Sequence, residues 1–186
     1  MRQKTAKFIF EKIMGWKMLK SVPPQEKKCV ILGVPHTTFR DFVVFYFYTR
    51  AMGDNMNVFV KHTFFFWPLG PLMKMWGAIP VNREKGTSLL KEYYRIFQER
   101  DYIHLALAPE GTRKPIAKWK LGFHAIAHSA GVPVYLGYFN WKKKEITYGE
   151  RFEVSDDAMA DLRAIQQHYK KQDLAAYYPE KFIYMD

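Results

Sequence analysis

A histidine and an aspartate, His36 and Asp41, lie close together in the sequence between two apolar runs. On a regular helix two side chains five residues apart point away from each other, so they can meet only if His36 precedes the helix. Pro35 and Thr38 favour this, because proline disfavours helix at its predecessor and threonine is a good N-cap. Asp41 would then orient one imidazole nitrogen and leave the other to take a proton.

A purely structural role for the same residues also fits the spacing, and the motif alone slightly favours it. Thr38 and Asp41 fit a capping box, in which the aspartate only satisfies a backbone amide at the helix start. His36 would then be an ordinary turn residue. From these residues alone both interpretations stay open.

The elements around the pair place it at the end of a strand. Residues 29–34 form a short apolar run with β-branched members, which predicts a buried strand, and residues 42–48 are apolar enough for a buried helix. A second buried strand is predicted over residues 102–108 and is broken by the charged turn 109–114. Open α/β sheets bind their ligands at the carboxyl ends of such strands.

Four short blocks occur together in this chain, in a characteristic order and spacing. They are His36-x4-Asp41, Gly77-x-Ile79-x-Val81-x-Arg83, Pro109-Glu110-Gly111-Thr112-Arg113 and Val132-Pro133-Val134. The combination resembles the glycerolipid acyltransferase family, the lysophosphatidic acid acyltransferase-like enzymes. The resemblance extends from about residue 30 to residue 140, and its first and third blocks together are highly specific.

The resemblance implies a role for each matching residue. His36 corresponds to the general base that deprotonates the acceptor hydroxyl, and Asp41 corresponds to its partner. The substrate-binding positions, which hold the phosphate or polar head of the acceptor or lie beside it, are Glu110, Gly111, Thr112, Arg113, Arg83 and Lys61. The first block departs from the family pattern, because Pro35 stands where Asn is common and Thr37 and Thr38 replace the usual Arg or Gln and Ser.

The resemblance also implies the reaction and its participants. We expect an acyltransferase that moves a fatty acyl group from an acyl carrier protein or coenzyme A thioester to a hydroxyl of a lysophospholipid such as 1-acylglycerol-3-phosphate. No cofactor and no metal are expected, and the thioester is a co-substrate. The altered first block leaves open another lipid acceptor, such as a lyso-aminolipid.

Composition bounds the remaining alternatives. The 186 residues suffice for one domain with a substantial core, and the formal charge of +11 predicts an anionic partner. A non-catalytic basic module that binds membrane or nucleic acid would also fit the charge. The aromatic residues lie mainly in apolar segments and are not interleaved with basic residues, so we expect no nucleic acid. The single cysteine, Cys29, lies in a predicted strand and is expected to be a core residue.

Residues 1–20 carry six Lys or Arg interleaved with apolar residues and predict a basic amphipathic helix. They lack the pattern of a signal peptide and are too polar to span a bilayer. The helix would either lie flat on a membrane or pack on the domain, and its composition favours neither. We expect residues 1–22 as this segment, residues 23–186 as the acyltransferase domain, and a peripheral or monotopic protein at the cytoplasmic membrane face.

The alternation of elements predicts an α/β fold with a mixed, mostly parallel sheet flanked by helices. Strands are expected near 28–34, 56–61, 78–82 and 102–108, with helices near 39–52, 66–76, 88–100, 123–130 and from 155 to about 170. Residues 132–141 and 145–154 are expected to form a hairpin that makes the sheet mixed. The run 64–72 is unusually apolar and predicts either core or a surface for an acyl chain.

Overall fold

The protein is built around one twisted sheet that carries helices on both faces. The computed structural model describes residues 1–19, 22–82 and 88–183. The helices are α1 (Gln3–Phe8, continued by a π-helical turn at Ile9–Ile13), α2 (Phe39–Ala51), α3 (Leu69–Met75), α4 (Ser88–Glu99), α5 (Gly122–Ala130) and α6 (Ala158–Lys170). The strands are β1 (Lys17–Met18), β2 (Lys28–Val34), β3 (Met56–Lys61), β4 (Ala78–Val81), β5 (Ile103–Leu107), β6 (Val134–Asn140), β7 (Glu145–Thr147) and β8 (Arg151–Phe152).

The strand order is β1-β7-β6-β2-β5-β3-β4, and β8 also pairs with β6. Strands β6, β2, β5, β3 and β4 run parallel to one another. Strands β7 and β8 run antiparallel to β6. The predicted α/β fold with a mixed, mostly parallel sheet is therefore confirmed.

The central strand β2 is buried on both sides, as a continuous apolar run in a parallel sheet should be. Its side chains alternate between two cores. Val30 and Leu32 face the core that contains residues of α4, α5 and α6. Cys29 and Ile31 face the core that contains residues of the N-terminal segment and α2. The single cysteine is a buried core residue, as predicted.

The N-terminal segment differs from the single helix predicted over residues 1–20. The helix ends at Ile13, Gly15 has a left-handed φ of 69°, and Lys17–Met18 pair in parallel with β7. Ala6, Phe10 and Trp16 are buried against the domain. Sheet pairing thus overrides the helical pattern after Gly15. The proposed division of the chain at residue 22 stays a prediction.

The predicted hairpin forms, but its second strand is interrupted. Residues 148–150 separate β7 from β8, and Gly149 has a φ of 72°. A Cβ atom at Gly149 would lie 1.9 Å from the Leu136 carbonyl oxygen, so only glycine allows this close approach to β6.

A buried polar cluster closes the amino-terminal end of the sheet, opposite the His36 loop. The Asp54 carboxylate accepts hydrogen bonds from the hydroxyls of Tyr102 and Tyr148 and lies 2.9 Å from His104 Nδ1. His104 Nε2 lies 2.8 Å from the Glu26 carbonyl oxygen. Burial would raise the pKa of Asp54, but the hydrogen bonds of His104 and Tyr102 hold that pKa below its usual value. Burial opposes protonation of His104, but Asp54 outweighs it and raises the pKa of His104.

We predict that Asp54→Asn destabilises the protein by roughly 3 kcal/mol or more, because it leaves a buried imidazolium without its counter-charge. Because folding lowers the Asp54 pKa, its stabilising contribution is present above the unfolded-state pKa and is lost as the pH falls through the folded-state pKa. Urea denaturation from pH 3 to pH 7 would measure both effects.

The matched control is Asp156→Asn, which removes an exposed partner of a histidine, His128. Its denaturation midpoint should equal that of the wild type. An equal loss in both variants, or none in Asp54→Asn, would contradict the structural role assigned to Asp54.

Candidate active site

The loop between β2 and α2 places His36 just outside the helix. Thr38 is the N-cap of α2, with extended backbone dihedrals of −147° and 159°. Its hydroxyl accepts a hydrogen bond from the Arg40 amide at 3.3 Å, and its own amide donates to Asp41 Oδ2 at 2.9 Å. The predicted capping box is therefore present.

The same carboxylate also contacts His36. The Nδ1 atom of His36 lies 3.2 Å from Asp41 Oδ2, and the Asp41 side chain is only 2% exposed. Asp41 further accepts a hydrogen bond from the Thr37 amide at 2.9 Å and one from Trp141 Nε1 at 2.7 Å. The two interpretations of Asp41 are thus not exclusive, because one carboxylate caps the helix and partners the imidazole.

The geometry of this pair defines which ring nitrogen of His36 can accept a proton. With Nδ1 directed at Asp41, the neutral tautomer that donates Nδ1–H to the carboxylate leaves the Nε2 lone pair available. The His36 side chain is 28% exposed and lines a cavity. The arrangement can accept a proton from a group bound in that cavity.

The Glu110 carboxylate contacts the backbone of His36. It follows β5 and is 5% exposed. Its Oε1 atom accepts a hydrogen bond from the His36 amide at 3.0 Å, whereas Oε2 is buried with no hydrogen-bond partner among the described residues. Burial raises the pKa of Glu110 to about 7.

The turn after Glu110 depends on glycine. Gly111 has a φ of 62°, and a Cβ atom there would lie 2.8 Å from Lys120 Cδ. The Lys120 amide donates to the Pro109 carbonyl at 2.8 Å, which fixes the following segment against the turn. The next two residues, Thr112 and Arg113, line the same cavity as His36.

This cavity of about 540 Å³ has a polar end and an apolar body. Its volume falls in the range typical of small-molecule sites. The polar lining comprises His36, Asp41, Lys61, Thr112 and Arg113. The apolar lining includes Phe39, Phe42, Phe45, Met56, Val58, Phe59, Phe64, Met73, Leu107 and Phe139.

A larger cavity, of about 730 Å³, is lined in part by Trp141. Neither His36 nor Asp41 lines it. Its lining includes Trp16, Arg40, Trp141, Lys142 and Tyr177. The smaller cavity is the candidate active site, because it alone of these two contains the groups that can do proton chemistry.

Most of the predicted site residues therefore converge. Six of them line one cavity, although they come from three separate strand ends: His36, Asp41, Lys61, Gly111, Thr112 and Arg113. Glu110 lies behind the cavity wall, against the His36 amide. Arg83 lies outside the described residues. The binding roles of these residues stay predictions.

Sequence reasoning missed Trp141 and the cavity-lining aromatic residues outside the run 64–72, such as Phe42 and Phe139. Trp141 lies at the end of β6, 100 residues from the carboxylate that its indole contacts. No local pattern marks such a residue, and only its position directly after a predicted strand end could have suggested it.

The described residues contain no cluster of three or more side chains suited to hold a metal ion. The two histidines of α5 contact acids at the start of α6 instead. His124 Nε2 lies 3.0 Å from Asp161 Oδ2, and His128 Nε2 lies 2.8 Å from Asp156 Oδ1. None of the helices in the described part of the chain is long and apolar enough to cross a membrane.

Comparisons with known proteins identify the family. Residues 18–136 match the Acyltransferase family, so this chain belongs to it. The fold is similar to that of the 1-acyl-sn-glycerophosphate (LPA) acyltransferase PlsC from Thermotoga maritima, with a TM-score of 0.57 and 12% sequence identity. The match covers 93% of this chain and 81% of the other. No curated protein matches the sequence significantly.

We predict that Glu110→Gln removes a pH dependence from the stability of the protein. Folding raises the Glu110 pKa, so the folded state binds more protons, and stability falls as the pH rises from the unfolded-state value towards 7. That loss amounts to about 3 kcal/mol at pH 8. Glutamine stays neutral and keeps an oxygen for the His36 amide, so the variant should be the more stable protein at pH 8.

Urea denaturation at pH 5 and pH 8 would check this, with the exposed residue in Glu180→Gln as control. The control should follow the wild type at both values. If Glu110→Gln also lost stability between pH 5 and pH 8 to the same extent as the wild type, Glu110 would not be the titrating group.

Proposed function

We propose that this acyltransferase moves a fatty acyl group from a thioester carrier to a hydroxyl of a lysophospholipid such as 1-acylglycerol-3-phosphate. The observation that carries the proposal is the His36–Asp41 contact at the polar end of a largely apolar cavity. A proton acceptor and an apolar wall that can hold an acyl chain meet there, and acyl transfer from a thioester to a lipid hydroxyl needs both.

The reaction requires no acyl-enzyme intermediate. His36 Nε2 takes the proton of the acceptor hydroxyl while the oxygen attacks the thioester carbonyl. The carbon–sulfur bond then breaks, and the imidazolium returns its proton to the departing thiolate. The products are the ester and a free thiol, and His36 is neutral again. This scheme uses no metal or redox cofactor.

The surroundings of Asp41 suit it to stabilise the imidazolium. Its carboxylate is held by two backbone amides and the Trp141 indole, so it cannot rotate away from His36. The positive end of the α2 dipole also favours negative charge at this position. Asp41 therefore fixes the ring orientation and offsets the charge that forms on His36.

Arg113 is the best candidate to hold the anionic head of the acceptor. It lines the same cavity as His36, and a guanidinium binds phosphate through paired charge-assisted hydrogen bonds. Lys61 and Thr112 lie in the same wall. The family resemblance assigns Arg83 to this group as well.

The donor is an acyl carrier protein or coenzyme A thioester, both of which are anionic and suit a chain with a net charge of +11. We place the reaction at the cytoplasmic face of a membrane, with the protein bound peripherally, because the acceptor and product reside there. One observation leaves room for a different acceptor, such as a lyso-aminolipid: Pro35, Thr37 and Thr38 replace common residues of the first family block.

Labelled acyl donors would test the proposal. The purified protein is incubated with acyl carrier protein or coenzyme A thioesters and with a panel of lysophospholipids and lyso-aminolipids. Transfer to a lysophospholipid supports the proposal, and transfer only to another class identifies the alternative acceptor. The absence of transfer to every acceptor, together with tight and salt-sensitive nucleic-acid binding, would overturn it.

We predict that His36→Ala lowers kcat by at least ~10²-fold, because general-base catalysis contributes that much at the low end. The fold should persist, since the side chain is partly exposed. Steady-state rates and the melting temperature would be measured together. Asp41→Asn is the companion variant: it should lose activity and also about 1 kcal/mol of stability, because Asp41 caps α2 as well. Full activity in either variant would argue against the assigned mechanism.

Arg113→Lys should raise the acceptor KM more than the donor KM, because a point charge cannot replace a planar two-pronged contact. The two Michaelis constants would be compared in wild type and variant. Lys114→Arg changes the neighbouring exposed cation in the reverse sense and serves as control, with unchanged constants expected. An equal rise for donor and acceptor would contradict a specific contact between Arg113 and the acceptor head.

A further inference from the structure

One surface of the molecule exposes large apolar side chains that its cores do not use. The run 64–72 was predicted to be core or a surface for an acyl chain, and the core interpretation is wrong for most of it. Phe64 is 50% exposed, Phe66 59% and Trp67 84%. Leu72 and Met75 of α3 are also exposed. We call this segment, residues 64–75, the apolar rim.

The apolar rim is a folded structure and not a loose loop. Gly70 is buried against the backbone of Phe65, where a Cβ atom would approach the carbonyl oxygen to 2.9 Å. The Gly70 amide donates to the Phe66 carbonyl at 2.7 Å. This contact turns the segment back on itself and holds the apolar side chains outward.

The apolar rim is continuous with the mouth of the candidate active site. Phe64 and Met73 line the cavity that contains His36. Across the cavity, Phe39 lines it too and is 52% exposed. Phe42 connects the two sides, because its ring centroid lies 5.5 Å from that of Phe39 and 6.3 Å from that of Trp76, the residue that directly follows the apolar rim. An apolar path therefore runs from the surface of the protein into the cavity.

The charge next to this surface suits an anionic partner. His62 at its edge and Lys74 within it are exposed, and the whole chain carries a formal charge of +11. Contiguous apolar patches of this kind on a protein surface mark interaction sites. Exposed aromatic residues flanked by basic ones are typical of segments that lie in the interface of a bilayer.

We propose that the apolar rim docks the protein on an anionic lipid bilayer, with Phe66 and Trp67 inserted and the cavity mouth open to the lipid. The proposal rests on the proposed function, which requires lipid substrates to pass between bilayer and cavity. A bilayer fits better than a second copy of this chain, because a protein seated on the rim would cover the mouth through which the acyl chain must pass.

The N-terminal segment also exposes apolar side chains, and membrane binding was one of the two roles predicted for it from the sequence. Its inner residues, Ala6 and Phe10, are used for packing, whereas Phe8 and Ile13 are exposed. The two surfaces can be separated by experiment because each has a pair of exposed residues that lies outside the lining of the candidate active site.

The test compares vesicle binding of three double variants with that of the wild type. They are Phe66→Ser with Trp67→Ser in the apolar rim, Phe8→Ser with Ile13→Ser in the N-terminal segment, and Leu90→Ser with Met159→Ser as matched controls on α4 and α6. Sedimentation with phosphatidylcholine vesicles containing phosphatidylglycerol measures the partition coefficient. We expect the apolar-rim variant to bind at least roughly tenfold more weakly and the control to bind like the wild type.

Two further readouts make the result specific. Trp67→Phe keeps an apolar aromatic and should retain binding, while losing most of the blue shift in tryptophan fluorescence that the wild type shows with vesicles. The apolar-rim variant should transfer acyl groups slowly to vesicle-borne acceptor but at the wild-type rate to a short-chain acceptor dissolved as monomers.

Unchanged vesicle binding in the apolar-rim variant would overturn the proposal, as would a loss confined to the N-terminal variant. A change of oligomeric state in the apolar-rim variant, with vesicle binding intact, would overturn it in favour of a second copy as the occupant. If the wild type transfers no acyl group but the apolar-rim variant still loses vesicle binding, the docking surface stands and the proposed reaction fails.

Discussion

The site depends on one buried carboxylate. Asp41 is 2% exposed, and its two oxygens face the amides of Thr37 and Thr38, the indole of Trp141 and the imidazole of His36. A buried carboxylate is stable only when such partners compensate its lost hydration. The same contacts that make Asp41 tolerable also join the β2–α2 loop, α2 and the β6–β7 hairpin. The hydrogen bonds that compensate the burial of Asp41 therefore also set the geometry of the candidate site.

A second carboxylate, that of Glu110, contacts the backbone of the same loop. Glu110 accepts the His36 amide, so His36 is held by its backbone at one end and by its ring at the other. This arrangement costs stability, since Glu110 is buried next to another acid and one of its oxygens is unpaired among the described residues. Such local costs are characteristic of functional sites, where the position of a group matters more than its stability. Glu110 thus contacts the backbone of His36 without lining the cavity.

Much of this could be predicted from the sequence, and the exceptions have physical causes. The central strands were predictable because residues 29–34 are apolar, residues 103–107 are apolar apart from His104, and both runs have clear ends. The capping box was predictable because its signal lies within four residues. The interruption at Gly149 was not, because it depends on the approach of the Leu136 carbonyl from a neighbouring strand. Trp141 was missed for the same reason, since its contact with Asp41 exists only after the sheet has formed.

The apolar rim shows the limit of hydrophobicity as a guide to burial. Residues 64–72 were predicted to be core or a surface for an acyl chain, and their apolarity favoured core. Both cores of the sheet, however, are already filled by α1, α2, α4, α5, α6 and the strands. Helix α3 is too short to cover a further face, and it contributes only Gly70 to the buried residues. The excess apolar surface is therefore not needed for folding of the sheet. It lies where the cavity opens, and under the proposed function a lipid chain that leaves a bilayer would need an apolar surface at that point, because exposure of the chain to water during transfer would be unfavourable.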